Sequence, residues 1–329
     1  MARDERVPDR NIAMELVRTT EAAALAAAAW VGRGDKVGAD HAAVAAMRMM
    51  LDTVDMDGII VIGEGVKDEA PMLYNGERVG NGRGPQVDVA VDPLEGTRLT
   101  AQGRGGAVSV IAAAPRGTLF NPLDVFYMEK IAVGPAARGR INLGAPISWN
   151  IDQVAKAKGV PVKEITVIIL DRDRNTKIAD EVRAAGARIR FITDGDQPAA
   201  VSAAMEGTGV DMMLGIGGST EGVVAACALK CLEGDFQGRL WAGDDAQRRY
   251  AMEHDLSLDT ILTIDDLVKS EDVFFAASGV TTGDLLKGVE YVTHGARSES
   301  LVMRSRSGTI RRIQTEHHWR KLQEISRLT

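Results

Sequence analysis

Cysteine is nearly absent: the 329 residues hold only Cys227 and Cys231. They stand four apart in a stretch of helical composition. A zinc site would need further thiols or imidazoles nearby, and a disulfide within one helical turn fits poorly. Both read as small apolar helix residues. Thiols build no framework, so a reducing cytoplasm is the expected compartment. Long hydrophobic runs are missing too. The apolar stretch 22–31 is far too short to span a bilayer. It reads as the buried part of an Ala-rich helix from about residue 11 to 30. The first ten residues mix acids with bases, unlike the basic start of a signal peptide. Neither a targeting segment nor a membrane partner is expected. Basic charge is not in excess: 39 Lys and Arg against 46 Asp and Glu leave −7 with His neutral. A nucleic-acid binder would carry a basic stripe, so none is expected as a partner. An acidic balance suits a protein that gathers cations.

What is present is ordinary globular material, 45% apolar and 26% charged, which excludes disordered and collagen-like chains. The length suits two domains or one large one, with enough chain to bury a core without staples. Residues 39–54 predict a helix, with Ala43, Met47 and Leu51 at helical spacing. The apolar run 58–63 between glycines predicts a buried strand. A Gly-rich connector spans 76–84. Residues 87–92 alternate with period two, and Pro93 is expected to stop that strand. A further strand is expected at 107–113. The second half has a different rhythm. Strands are expected at 165–170, 188–193, 212–214 and 273–276, with helices at 177–185 and 197–206. Strands alternating with helices imply an α/β fold with a parallel sheet. Ligand groups then gather at the carboxyl ends of the strands, here the loops 171–174, 194–196 and 215–218. Residues 301–306 and 309–314 flank Ser307-Gly308 as a hairpin. The change of rhythm puts a domain boundary near residue 145, with one unit over 1–145 and an α/β unit with the hairpin over 146–329.

The sharpest motif is Asp92-Pro93-Leu94-Glu95-Gly96-Thr97. Asp92 closes a strand, Pro93 fixes a turn, and Glu95 lies near enough for both carboxylates to face one point. Gly96 lets backbone approach a ligand, and Thr97 offers a hydroxyl where a helix begins. Carboxylates with a peptide carbonyl are hard oxygen donors, which select Mg²⁺ or Mn²⁺. Glu64, between Gly63 and Gly65, also emerges after a strand. Glu221 follows the Gly-rich turn 215–218 into a helix, with Ser219 or Thr220 as the expected cap. Each acid alone is equally a turn or cap residue; three strand-end sites together suggest a shared metal centre. The five histidines lie outside these motifs and read as surface or core residues.

The chain resembles the class II fructose-1,6-bisphosphatases, within the superfamily of lithium-sensitive, metal-dependent phosphatases. The stretches that carry the resemblance run in order along nearly the whole chain. They are Gly32-Arg-Gly-Asp-Lys36 with Asp40, Ile62-Gly-Glu-Gly65, Asp68-Glu-Ala-Pro-Met-Leu-Tyr74, the 92–97 motif, and Tyr127-Met-Glu-Lys130. Asp194-Gly-Asp196, Gly215-Ile-Gly-Gly218 with Glu221, and Ser307-Gly-Thr-Ile-Arg-Arg312 complete the set. The resemblance implies a layered α/β/α/β/α sandwich and hydrolysis of the 1-phosphate of fructose 1,6-bisphosphate, as in gluconeogenesis. It implies metal ligands at Asp40, Glu64, Asp92, Glu95 and Glu221, with the carbonyl of Leu94, and a catalytic hydroxyl at Thr97. Lys36, Tyr127, Lys130, Arg172, Arg174, Asp194 and Asp196 would line the substrate site, together with Glu95, Gly96, Thr97, Gly195, Gly218 and Glu221. A homo-oligomer is expected on the same ground. Asp173 and Asn175 stand where the family usually has Pro and His, and the loop 102–106 lacks the family's usual Asn.

Other readings remain open. Sedoheptulose 1,7-bisphosphate differs from the fructose compound by one carbon, so a related or dual-specificity bisphosphatase fits the same residues. A non-catalytic sugar-phosphate sensor would keep the arginine loop but lose acids or the hydroxyl, and all are present. A dinucleotide-binding oxidoreductase is disfavoured because Thr220 takes the place of the last glycine in the phosphate-binding fingerprint.

Overall fold

The computed structural model describes residues 11–65, 72–123 and 125–321. The chain runs α1 (Ala13–Ala28), α2 (Lys36–Leu51), β1 (Asp57–Ile62), β2 (Arg78–Val79), β3 (Gln86–Glu95), α3 (Thr97–Ala101), β4 (Val108–Pro115) and β5 (Tyr127–Val133). Then follow α4 (Ile147–Lys158), β6 (Thr166–Leu170), α5 (Thr176–Ala184), β7 (Arg188–Ile192), α6 (Asp196–Ala204), β8 (Met212–Gly218), α7 (Ser219–Cys231) and β9 (Asp235–Trp241). The last elements are α8 (Asp245–Glu253), β10 (Leu262–Thr263), α9 (Ile264–Leu267), β11 (Phe274–Gly279), β12 (Glu290–Val292), β13 (Gly295–Arg304) and β14 (Thr309–His318).

The strands form two sheets. The first has the order β12-β13-β11-β4-β3-β1-β2, with β14 paired to β13; the second has the order β10-β9-β5-β8-β6-β7. Alternation along the strands decides what each sheet face buries. In β3, Val87, Val89 and Val91 pack with α1 and α2, while Ala90 joins the core on the other side. In β8, Met213 faces that same inner core, and Met212 and Leu214 pack with α4 and α5. The inner core holds α6 and α7 between the sheets. The result is an α/β/α/β/α sandwich. A helix pressed between two sheets needs an apolar surface all round and small side chains. The α7 run Gly222–Cys231 supplies both, and every residue in it is buried.

Several expectations change. Strand β3 does not stop at Pro93 but runs on to Glu95, with a register shift against β4 between Asp92 and Glu95. Proline lacks the ladder donor, and a bulge tolerates that. Residues 215–218 are not a loop. They extend β8 to Gly218 because Lys130 and Tyr127 of β5 pair with Gly215 and Gly218. Gly218, not Ser219 or Thr220, therefore caps α7. The second sheet is mixed: β6 is parallel to β7 and β8, but β5 is antiparallel to β8 and β9. β11 returns to the first sheet, between β4 and β13. The chain thus crosses between sheets after β4 and again after β10, and residue 145 lies inside the segment that builds the second sheet.

Candidate active site

The bulge explains how two acids of one strand act together. In a regular strand, residues three apart point to opposite faces. Here Asp92 pairs with Val110 and Glu95 with Val108, so β3 carries one extra residue. That residue restores a common side, and the two carboxyl groups share a hydrogen bond. β1 is the parallel neighbour of β3, so Glu64 leaves the sheet at the same end. α2 starts at Lys36, where Asp35 accepts the Gly38 N–H at 2.8 Å. Lys36 and Asp40 lie one helical turn apart and share a face. Glu221 arrives in the first turn of α7, held by a 2.8 Å hydrogen bond from Thr220 Oγ1.

Asp92, Glu95, Thr97 and Glu221 line a pocket of about 260 Å³ with Leu94 and Gly96. Lys36, Arg98 and Asp194 complete its wall. Burial is the first cause that raises each acid's pKa, and for Glu64, Asp92, Glu95 and Glu221 repulsion by neighbouring acids is the next. Glu64 is pushed up to about 8 by burial and by the charges of Asp40 and Asp92. Asp40 is raised by burial, against a small opposing pull from His41. Asp92 is raised by burial and then by Glu221 and Asp40, with hydrogen bonds from Glu95 and Gln197 working the other way. Glu95 stands well above the carboxylate range through burial, then Asp92, Asp196 and Glu221. Glu221 is raised by burial and Asp196, and Lys130 pulls it back. All five predicted ligand acids therefore fall in one electrostatic cluster.

Such a cluster is poised for cations. Glu95 Oε2 is buried without a hydrogen-bond partner, and an unpaired buried carboxylate oxygen is costly. The donors are all hard oxygens, so they fit Mg²⁺ or Mn²⁺. Among the described residues, no three acidic, His or Cys groups yet stand at the spacing that holds one ion.

The remaining predicted residues divide into three groups. Arg172 Nη2 donates to Asp194 Oδ1 at 2.7 Å, which ties it to the pocket wall. Arg174 lies farther along, its guanidinium 4.5 Å above the Tyr127 ring and its Nε donating to Ile216 O at 2.9 Å. Tyr127 in turn meets Trp241 edge-on at 5.8 Å. Lys130 and Asp196 do not face the pocket. Both are buried, Lys130 to 1% exposure, and they form an ion pair. The Lys130 ammonium also donates to Gly218 O at 2.8 Å. Gly217 must lack a side chain there, because a Cβ would sit 2.1 Å from Asp196 Oδ2 and 2.8 Å from Lys130 Nζ. Gly195 borders an adjoining cavity of about 420 Å³ that shares Asp194 with the pocket. The first four residues of the 68–74 stretch lie outside the described residues.

Two residues at the site escaped the sequence reading, one in the pocket wall and one behind Asp92. Arg98 lines the wall, 3.9 Å from Asp194. Gln197, 2% exposed, donates from Nε2 to Asp92 Oδ2 at 2.7 Å. Arg98 stood beside Thr97, and that adjacency was its one signal. Gln197 had none beyond following Asp196.

The layered sandwich and its acid-lined pocket define the class, an α/β protein of the sugar phosphatase fold. Residues 10–317 match the family described as bacterial fructose-1,6-bisphosphatase, glpX-encoded, and the chain belongs to that family. It is 46% identical over 322 residues to fructose-1,6-bisphosphatase 1 class 2 of Escherichia coli (strain K12), covering 94% of this chain and 96% of the relative. The same figures hold for the fructose-1,6-bisphosphatase class 2 of Shigella flexneri. Among the described residues, no helix is long and apolar enough to cross a membrane.

Proposed function

We propose that this chain hydrolyses fructose 1,6-bisphosphate to fructose 6-phosphate and inorganic phosphate. The observation that carries the reading is the cluster of Asp40, Glu64, Asp92, Glu95 and Glu221 beside Thr97, with Glu95 buried and the other four half-buried. Those acids, with the carbonyl of Leu94, would hold Mg²⁺ or Mn²⁺. Divalent ions bound there supply Lewis acidity toward phosphate oxygens and toward the attacking water.

The chain's own groups do the rest. Lys36 and Arg98 sit on an otherwise acidic wall and draw the anionic substrate in. Thr97, half-buried in that wall, hydrogen-bonds the attacking water and orients it in line with the bond from phosphorus to the sugar oxygen. A threonine hydroxyl is too weak a base to act alone. Water adds to phosphorus and the bond to the sugar oxygen breaks; one proton of that water stays on the released phosphate and the other passes to the sugar oxygen, which leaves as a hydroxyl. Arg172 and Arg174 bind the retained phosphate, for which the planar guanidinium fork is suited. Asp194 accepts sugar hydroxyls. Lys130 acts indirectly, by neutralising Asp196 and fixing the Gly218 carbonyl. The enzyme would work in carbon metabolism such as gluconeogenesis, as a cytoplasmic homo-oligomer. Its two cysteines are free and buried, and burial pushes the Cys227 thiol up to about 12.

A phosphate-release panel tests the reading. Fructose 1,6-bisphosphate, sedoheptulose 1,7-bisphosphate and inositol 1-phosphate are each offered with Mg²⁺, with Mn²⁺ and with EDTA. Release from the fructose compound with either ion, abolished by EDTA, is expected. Release that survives EDTA dismisses the metal assignment. No release from any sugar bisphosphate leaves a binding protein.

A further inference from the structure

We propose that Asn175 is a positioning residue that fixes Arg174 for the phosphate the reaction leaves in place. The inference rests on the substrate reading above. Asn175 ends the short 3₁₀ turn Asp173–Asn175 between β6 and α5, and it is only 1% exposed. A buried amide needs partners for both its donors and its acceptor. Asn175 Nδ2 donates to Leu170 O at 3.0 Å and to Ile216 O at 3.2 Å, and its Oδ1 accepts the Ile216 N–H at 2.7 Å.

These bonds replace a missing piece of sheet. Backbone pairing of β6 with β8 is confined to Val167 with Met212 and Ile168 with Met213. Beyond it the strands need another link, and the Asn175 amide meets both backbone groups of Ile216 as a strand would. Residue 215 has to be glycine for this to happen. Its φ is +145°, and a Cβ there would lie 3.3–3.4 Å from the Asn175 amide atoms.

Arg174 is tied to the same point. Its Nε donates to Ile216 O, the carbonyl that also accepts from Asn175, and its guanidinium lies over Tyr127. Asn175 holds the turn against β8, and the turn sets the distance of Arg174 from Ile216 and Tyr127. With Nε engaged, the two terminal nitrogens keep a fixed fork for a phosphate. Asn175 itself is buried in the sheet and touches no substrate, so its effect passes through Arg174.

The test compares fructose 1,6-bisphosphate with fructose 1-phosphate, used as alternative substrate or as competitor. The second compound lacks the phosphate that Arg174 would hold. Asn175→Ala removes the clamp. Asn175→Asp keeps the volume and the acceptor for Ile216 N–H while losing both donated bonds, and it serves where the alanine variant does not fold. Each variant is expected to raise KM for the bisphosphate by roughly tenfold, with KM or Ki for the monophosphate within about twofold and kcat little changed. The Asn175→Ala/Arg174→Ala double variant should be no weaker than Arg174→Ala alone. Equal losses on both compounds, or additive losses in the double variant, overturn the positioning role while the substrate reading stands. A wild-type enzyme inactive on the bisphosphate overturns both.

Discussion

Gln197 and Thr97 show how two uncharged side chains can serve a site built of acids. Gln197 Nε2 donates to Asp92 Oδ2, and its Oε1 is buried without a partner. The bond fixes one lobe of Asp92 and favours its ionised form. Gln197→Ala should raise the Mn²⁺ concentration for half-activation several-fold and cost about 1–3 kcal/mol of stability. A metal titration alongside urea unfolding checks it, and an unchanged activation curve would leave Gln197 a packing residue. Thr97→Ala removes the hydroxyl but none of the proposed ligand carboxylates. Turnover should fall by about 10²–10⁴, while Mn²⁺ binding measured by calorimetry stays near wild type. Near-normal turnover would take Thr97 out of the chemistry. Glu64, Glu95 and Glu221 were legible as site candidates because each stands beside glycine at or after a strand, and Asp92 because the alternating run 87–92 closes on it before Pro93. Gln197 was not, because an amide in the first turn of a helix looks like any polar helix residue. Lys130 was legible as important, but its depth was not: the ion pair with Asp196 depends on a contact 66 positions away.

Elements converge on that ion pair. Lys130 comes from β5, Asp196 opens α6, and the Gly218 carbonyl ends β8. One ammonium thus joins three elements behind the pocket. Breaking a buried pair leaves an uncompensated charge, and here it would stand among Glu95 and Glu221. Lys130→Met should destabilise the fold by about 3–5 kcal/mol. Adding Asp196→Leu should recover part of that loss, because both charges are then gone. Urea midpoints of the two variants measure the difference, and no recovery would mean that Lys130 acts through packing. Helices α1, α2, α5 and α6 and the strands β1, β4, β6 and β7 followed from apolar runs and their spacing. β9 did not: Asp235, Gln237 and Arg239 alternate with buried Phe236 and Leu240 in a pattern interrupted by Gly238. Its polar members have partners the sequence does not show, Arg239 with Glu129 and Gln237 with Leu143 N–H. The reach of β3 past Pro93 was hidden for a similar reason, since a bulge is a property of two strands.

At the scale of the whole molecule, two sheets close around α7, bring Asp92, Glu95 and Glu221 to one pocket, and set Asp40 and Glu64 within electrostatic reach of Asp92. That gathering has a consequence for stability. Glu64 is held at about 8 against an ordinary 4.5, and Asp40, Asp92, Glu95 and Glu221 are all raised. A carboxyl with a raised folded pKa binds its proton more tightly in the folded state. Its contribution to stability is whole below the unfolded value near 4.5 and is lost as pH climbs through the folded value near 8 for Glu64. The metal-free protein should therefore melt at progressively lower temperature between pH 5.5 and 8.5. Glu64→Gln should flatten part of that slope. Divalent ions take the place of the protons, so saturating Mg²⁺ should raise the melting temperature far more at pH 8 than at pH 5.5. Differential scanning calorimetry with and without EDTA reads both effects. A Mg²⁺-induced shift of equal size at the two pH values would mean that the acids are not competing with protons for the ion, and the cluster would then be no metal site.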